Sequence, residues 1–212
     1  MNPEGHRPVV PRAQPQSRGC AIAGVVALTL VAVLLVAGGV WFVLNREALE
    51  SGDFEAAPEC AVGETEALAA SVPSHVLELE APVGGQQDTF GTGWQCRWAT
   101  PEGPGEAVPS FATLVMVAAP NPGGIETAAE NLRNTTANQD TTAVDGIGDE
   151  AVSWTDESDF PFACVGARVS NLYVETCYGA AADYGVARAA EAEHGRETAE
   201  ELARAVIAEL PA

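Results

Sequence analysis

The chain contains no lysine. Its ten basic side chains are all arginines and face 30 acids, for a formal charge of −20. Three of the arginines and a single Glu lie in the first 18 residues (+2), and the remaining seven face 29 acids (−22). A part so acidic will not hold nucleic acid or anionic lipid through a general field, and solubility is the simplest use of the charge. Other absences narrow the chemistry. There is no CxxC pair and no clustered His, so nothing has the spacing of a zinc site. There is no G-x-S-x-G context for a nucleophilic serine. His75 and His194 stand isolated and read as surface histidines. Asp145, Asp149, Glu150, Asp156, Glu157 and Asp159 invite a calcium reading, but their spacing is not that of an EF-hand loop and solvated carboxylates are preferred.

The longest absence is of charge itself, from Gly19 to Leu44. That run predicts a transmembrane helix over 19–44, since ~20 apolar residues at ~1.5 Å each cover a ~30 Å hydrocarbon core. Arg7, Arg12 and Arg18 precede it, whereas Glu47, Glu50, Asp53 and Glu55 follow, which places the N-terminus in the cytoplasm and the remainder outside. Trp41 suits the far interface. A cleaved signal peptide is the alternative, with Ala37-Gly38-Gly39 as its small residues, but the apolar run continues through Val40–Leu44. Cys20 is no lipoprotein site, because polar Gln16-Ser17-Arg18-Gly19 stands where an apolar stretch is needed. The expected organisation is a disordered cytoplasmic tail (1–18), the span (19–44), an acidic spacer (45–59) and an extracytoplasmic domain (60–212).

Four of the five cysteines, Cys60, Cys96, Cys164 and Cys177, fall in that exported part, and an even number in an oxidising compartment reads as disulfides. A hairpin turning at Ser170-Asn171 sets Cys164 directly opposite Cys177, at the cross-strand spacing a bridge needs. Cys60 and Cys96 then pair.

Periodicity supplies the elements. Glu64–Ser71 reads as a short helix presenting Leu68 and Val72. Ser74–Glu80 alternates, with Leu77 and Leu79 on one face and Glu78 and Glu80 on the other. Trp94, Cys96 and Trp98 share a strand face, and Phe111–Ala118 is apolar throughout, as a central strand is. Ile125, Ala128, Ala129 and Leu132 recur at helical spacing, residues 134–142 read as polar loop, and Glu150–Trp154 as a strand. The hairpin puts Val165, Ala167, Val169, Leu172, Val174 and Thr176 on its core face; Arg168 lies opposite Tyr173 on the other, within reach of its ring. Thr198-Ala199-Glu200-Glu201 has the form of a capping box, so the last helix is expected to begin there. The expected fold is α+β: one antiparallel twisted sheet of about five strands with helices packed on one face and two disulfides.

Gly146-Ile147-Gly148-Asp149-Glu150-Ala151, the Arg168–Val174 hairpin (RVSNLYV), Cys96-Arg97-Trp98 and a closing amphipathic helix together resemble actinobacterial membrane-anchored extracytoplasmic domains of unknown function. The arrangement is also similar to the sensor domain of PknH-type receptor kinases. The resemblance spans roughly residues 58–212 and implies an α+β domain with two disulfides and a cleft. The chain has neither a lipobox nor a kinase part, so a signal relay would need a partner.

These readings converge on a single-pass, sensor-like protein that presents an extracytoplasmic domain to an envelope ligand or a partner protein, with no evident catalysis, metal or cofactor. Trp94, Trp98 and Trp154 are its candidate ligand-cleft aromatics. A cell-envelope hydrolase and a purely structural envelope scaffold are the alternatives.

Overall fold

The computed structural model describes residues 30–42, 51–83, 90–101, 109–156, 162–180 and 188–211. By its contacts the chain divides into two compact units, Met1–Asn45 and Arg46–Ala212. In the first, residues 30–42 form a helix, α1, whose side chains are all exposed. Among the described residues no helix is long and apolar enough to cross a membrane, which overturns the span expected over 19–44. Residues 19–29 and 43–44 of that expectation, the tail 1–18 and residues 45–50 of the spacer lie outside the described residues.

The second unit is built on a seven-stranded antiparallel sheet rather than one of about five strands. In sequence come a 3₁₀ turn (Cys60–Gly63), α2 (Glu66–Ser71), β1 (Val76–Val83), β2 (Thr92–Ala99), β3 (Ser110–Ala118), α3 (Gly124–Thr136), β4 (Thr142–Ala143), β5 (Glu150–Asp156), β6 (Phe162–Val169), β7 (Leu172–Ala180) and α4 (Arg188–Ala208). The spatial order is β1-β2-β3-β7-β6-β5-β4. β3 is an interior strand between β2 and β7, and its residues alternate between the faces, with Ala112, Leu114 and Met116 deeply buried. Six of the seven strands fall on segments whose sequence pattern marks them as extended; the seventh is β4. It has two exposed residues, Thr142 and Ala143, paired with Ser153 and Val152, and so no apolar pattern announces it.

Helices cover both faces, not one. On one face Ala199, Leu202, Ala203 and Val206 of α4 and Leu68 of α2 pack against Leu114, Met116, Val165, Ala167 and Val174. On the other, Leu132 of α3 packs with Val117 and Tyr173. The hairpin's supposedly outer face is thereby enclosed: Tyr173 is buried with Leu132, and Cys164 and Cys177 are buried with Trp154, Val152 and Phe162.

β1 also departs from expectation. A bulge between Leu77 and Leu79 adds a residue to the strand, and Leu77 then lies opposite Trp98 while Leu79 lies opposite Arg97. Directly paired residues share a face, so the two leucines point to opposite sides, and Glu78 reaches Arg97 at 3.1 Å. Both leucines stay exposed, at 42% and 39%.

α4 starts ten residues before the expected capping box. The alanines and glutamates after Arg188 are good helix formers and carry the helix through, and the Thr198 hydroxyl donates to the carbonyl of His194 instead of capping an end.

The N-terminal segment is strapped to the turn side of the β6–β7 hairpin. Asn171, fully buried, accepts from the N–H of Phe54 and donates to the carbonyls of Phe54 and Ala119. Asn121 holds Gly52 in the same two-handed way, and Ser170 accepts from the N–H of Asp53. A Cβ on Gly52 would lie 2.2 Å from the Asn171 amide oxygen, so the strap needs glycine there.

Candidate functional site

Both disulfides expected from the sequence are present, Cys60–Cys96 and Cys164–Cys177. The first pins the 3₁₀ turn to β2. The chain then leaves Gly63, and Thr65 caps α2 by accepting from the N–H of Leu68. Between these residues Glu64 is held on two sides: Trp98 Nε1 donates to its Oε1, and His75 Nε2 lies 2.8 Å from its Oε2. His75 is no isolated surface histidine, since its Nδ1 also contacts the Val72 carbonyl at 3.0 Å.

This corner and the end of α4 enclose a groove of about 660 Å³. Small apolar side chains line it from both sides, Ala61, Val62 and Ala67 from the 3₁₀ turn and α2 and Ala205 and Ala208 from α4, with Ala61 and Ala208 exposed. Its carboxylates are Glu59, Glu64, Glu66 and Glu209, all exposed, and among the described residues no arginine lines it. α4 brings no basic residue in its last turn, so the negative end of its macrodipole adds to the same field. Thr65 and Glu66 have a local purpose as cap and first-turn acid of α2. Glu209 has none, because an acid beside a helix C-terminus opposes the dipole.

A second polar cluster lies on the α3 face. The Tyr173 hydroxyl donates to Glu175, whose other oxygen is 3.6 Å from Cys177 Sγ. Burial pushes the Glu175 carboxyl above the ordinary carboxylate range, and the Tyr173 hydrogen bond opposes this without cancelling it. Burial and then the Glu175 charge push the Tyr173 phenol up. Cys164, Glu175 and Cys177 offer three metal-ligand atoms within 4.8 Å of one another. Both sulfurs are spent in the disulfide, which leaves no thiolate for a metal.

The three tryptophans do not converge. Trp98 is buried beside Cys96 in the core, Trp94 packs against the same core half-buried, and Trp154 lies on the opposite face beside Cys164 and Cys177. Arg168 does not stack on Tyr173; its guanidinium goes to Asp149 at 2.9 Å, and the cation–π contact is Arg97 over Phe111 at 4.5 Å. Asp149 also accepts from the N–H of Ser170, so this candidate calcium ligand is already engaged. Glu157 and Asp159 lie outside the described residues. His194 is exposed on α4. The groove residues Glu59, Ala205, Ala208 and Glu209 were not singled out from sequence. The one signal was a run of alanines and an acid at a helix end that called for a base.

No protein-family model matches this chain, and neither a curated protein nor a solved structure is found to be similar to it.

Proposed function

We propose that residues 46–212 form an extracytoplasmic binding domain, sensor-like in taking up an envelope ligand or partner protein, and that the α2–α4 groove is where binding occurs. The observation that carries the reading is the groove itself: an open concavity in which small apolar side chains and carboxylates line the surface in about equal measure. The two disulfides support a location outside the reducing cytoplasm. The Cys60–Cys96 bridge and the Trp98–Glu64–His75 chain support a preformed wall, which lowers the cost of ordering on binding.

A photo-crosslinking residue placed at Ala67 or at Ala205, on the two walls, tests this in intact cells, with Arg133 on α3 as the control. The reading expects the same discrete adduct from both walls and none from Arg133. No adduct from either wall, or equal capture at Arg133, contradicts it.

A further inference from the structure

We propose that His75 is a proton-operated latch on α2: its imidazolium joins the two ends of the helix, and loss of one ring proton opens the joint. Both ring nitrogens meet acceptors. Nδ1 lies 3.0 Å from the Val72 carbonyl at the C-terminal end of α2, and Nε2 lies 2.8 Å from Oε2 of Glu64, which immediately precedes the N-cap Thr65. A carbonyl and a carboxylate only accept. A neutral imidazole has a single N–H, so one of the two contacts is then a lone pair facing a lone pair. The imidazolium has an N–H on each side and satisfies both. Its charge also sits at the negative end of α2, whose last turn holds no basic residue.

The surroundings fix the ring. Ser74 takes a left-handed backbone conformation, φ 54°, which is uncommon for a residue with a side chain. The chain is thereby turned back, and the His75 N–H also reaches the Val72 carbonyl, at 3.2 Å. The His75 side chain is 17% exposed. Trp98 of β2, which does not titrate, donates to the other oxygen of Glu64 and ties that carboxylate to the sheet. Glu59, Glu66 and Glu209 line the same groove with the same sign of charge, and Glu78 of β1 is engaged with Arg97. Among the described residues, then, the charged side chain that pairs with the ring is Glu64, and no second cation takes it.

A helix of six residues does not hold itself, because the nucleation penalty exceeds what so few bonds contribute. α2 depends on its end contacts, and this is the end contact that a proton controls. The latch is closed where the ring is charged and loosens as pH rises through the range in which histidines ordinarily titrate, between about pH 5 and 8. Thr65, Glu66 and Ala67 line the α2–α4 groove, so the latch sets the order of that wall. It stands on hydrogen bonding alone, whether or not the groove binds.

Amide hydrogen exchange of the full chain with disulfides intact, corrected for intrinsic rates, tests this without a ligand. The amides of Ala69 and Val72, bonded to the carbonyls of Thr65 and Leu68, report on α2. Their protection is expected to fall about fivefold between about pH 5.5 and 8.5, the size of one charge-assisted bond near the surface. His75→Gln is expected to show the lower protection throughout, without that fall. Glu64→Gln is expected to reverse its sign: the amide oxygen still accepts from Trp98, while the amide N–H donates to the bare Nε2 of a neutral ring and opposes the N–H of a charged one. In the wild type itself, loss of the second ring proton, followed by nitrogen-15 NMR of His75, is expected to share its midpoint with the fall in protection. The inference is overturned if α2 follows the same pH trend in wild type and His75→Gln, if Glu64→Gln tracks the wild type, or if the two midpoints differ. Any of these results leaves binding in the groove to be decided by the wall crosslinks.

Discussion

Glu175, half-buried along β7, and Asn171, fully buried at the β6–β7 turn, are both polar, yet they act in opposite directions. Asn171 is fully satisfied, with its amide exchanging hydrogen bonds with Phe54 and donating to Ala119. Asn171→Ala leaves the N–H and carbonyl of Phe54 and the Ala119 carbonyl without partners, at a cost of about 3 kcal/mol. The expected result is a melting temperature lower by about 10 °C in a unit of this size, and fast exchange of the Phe54 amide in a hydrogen-exchange experiment. Glu175 carries a carboxyl that burial holds above the ordinary range. The folded state therefore keeps its proton to higher pH than the unfolded chain does. The stabilisation this gives is complete below the ordinary carboxylate value and is lost as pH rises through the raised one. Glu175→Gln is expected to match the wild type in melting temperature near pH 4 and exceed it at neutral pH, when melts are compared across pH. A variant that tracks the wild type in parallel throughout contradicts the assignment. Neither residue was legible in sequence. Asn171 reads as an ordinary turn residue, and Glu175 falls on the hairpin face opposite the obvious core pattern. What encloses them comes from residues 52–54 and from α3, which approach only in three dimensions.

At the scale of elements, sequence pattern worked where one face is dry and the other wet. It located α2 through Leu68, α3 through Ala128, Ala129 and Leu132, and the hairpin register through the summed positions of Cys164 and Cys177. It failed where an irregularity resets the period, as the bulge in β1 does, and where a residue's role has two solutions, as with Thr198. β1 is an edge strand with Val76, Leu77 and Leu79 exposed, which is a hazard for edge-to-edge pairing. Three devices blunt it: the bulge, the carboxylates of Glu78 and Glu80, and Pro82, which has no N–H to offer a newcomer. Replacing Glu78, Glu80 and Pro82 together by Thr is expected to produce concentration-dependent self-association in analytical ultracentrifugation, with the wild type remaining at a single sedimentation coefficient. The far edge is protected differently, by the brevity of β4.

At the scale of the whole molecule, the cysteine count and the charge carried most of what sequence had to say. The two disulfides close segments separated by 36 and 13 residues and contribute about 4 and 3 kcal/mol in the chain-entropy account. Their effects on function are expected to differ. Cys60→Ser with Cys96→Ser frees the 3₁₀ turn that walls the groove, so crosslinked capture at Ala67 and Ala205 falls along with the melting temperature. Cys164→Ser with Cys177→Ser lowers the melting temperature but leaves that capture unchanged where the protein is folded. Thermal melts and wall crosslinking on the two variants check this. The membrane span expected over 19–44 finds no support at this scale, since among the described residues no helix is long and apolar enough to cross a membrane. The groove was hidden from sequence. Its walls are 140 residues apart in sequence, and an alanine on α2 and one on α4 carry no mark of facing each other.

Alanine-methyl NMR of the full chain, titrated with the ligand or partner segment captured by crosslinking at Ala67 and Ala205, addresses the central claim most directly. Saturable shifts are predicted at the methyls of Ala61, Ala67, Ala205 and Ala208, with those of Ala128 and Ala129 on α3 unmoved. Shifts scattered over the acidic surface, or concentrated on the α3 face, would contradict a binding site between α2 and α4.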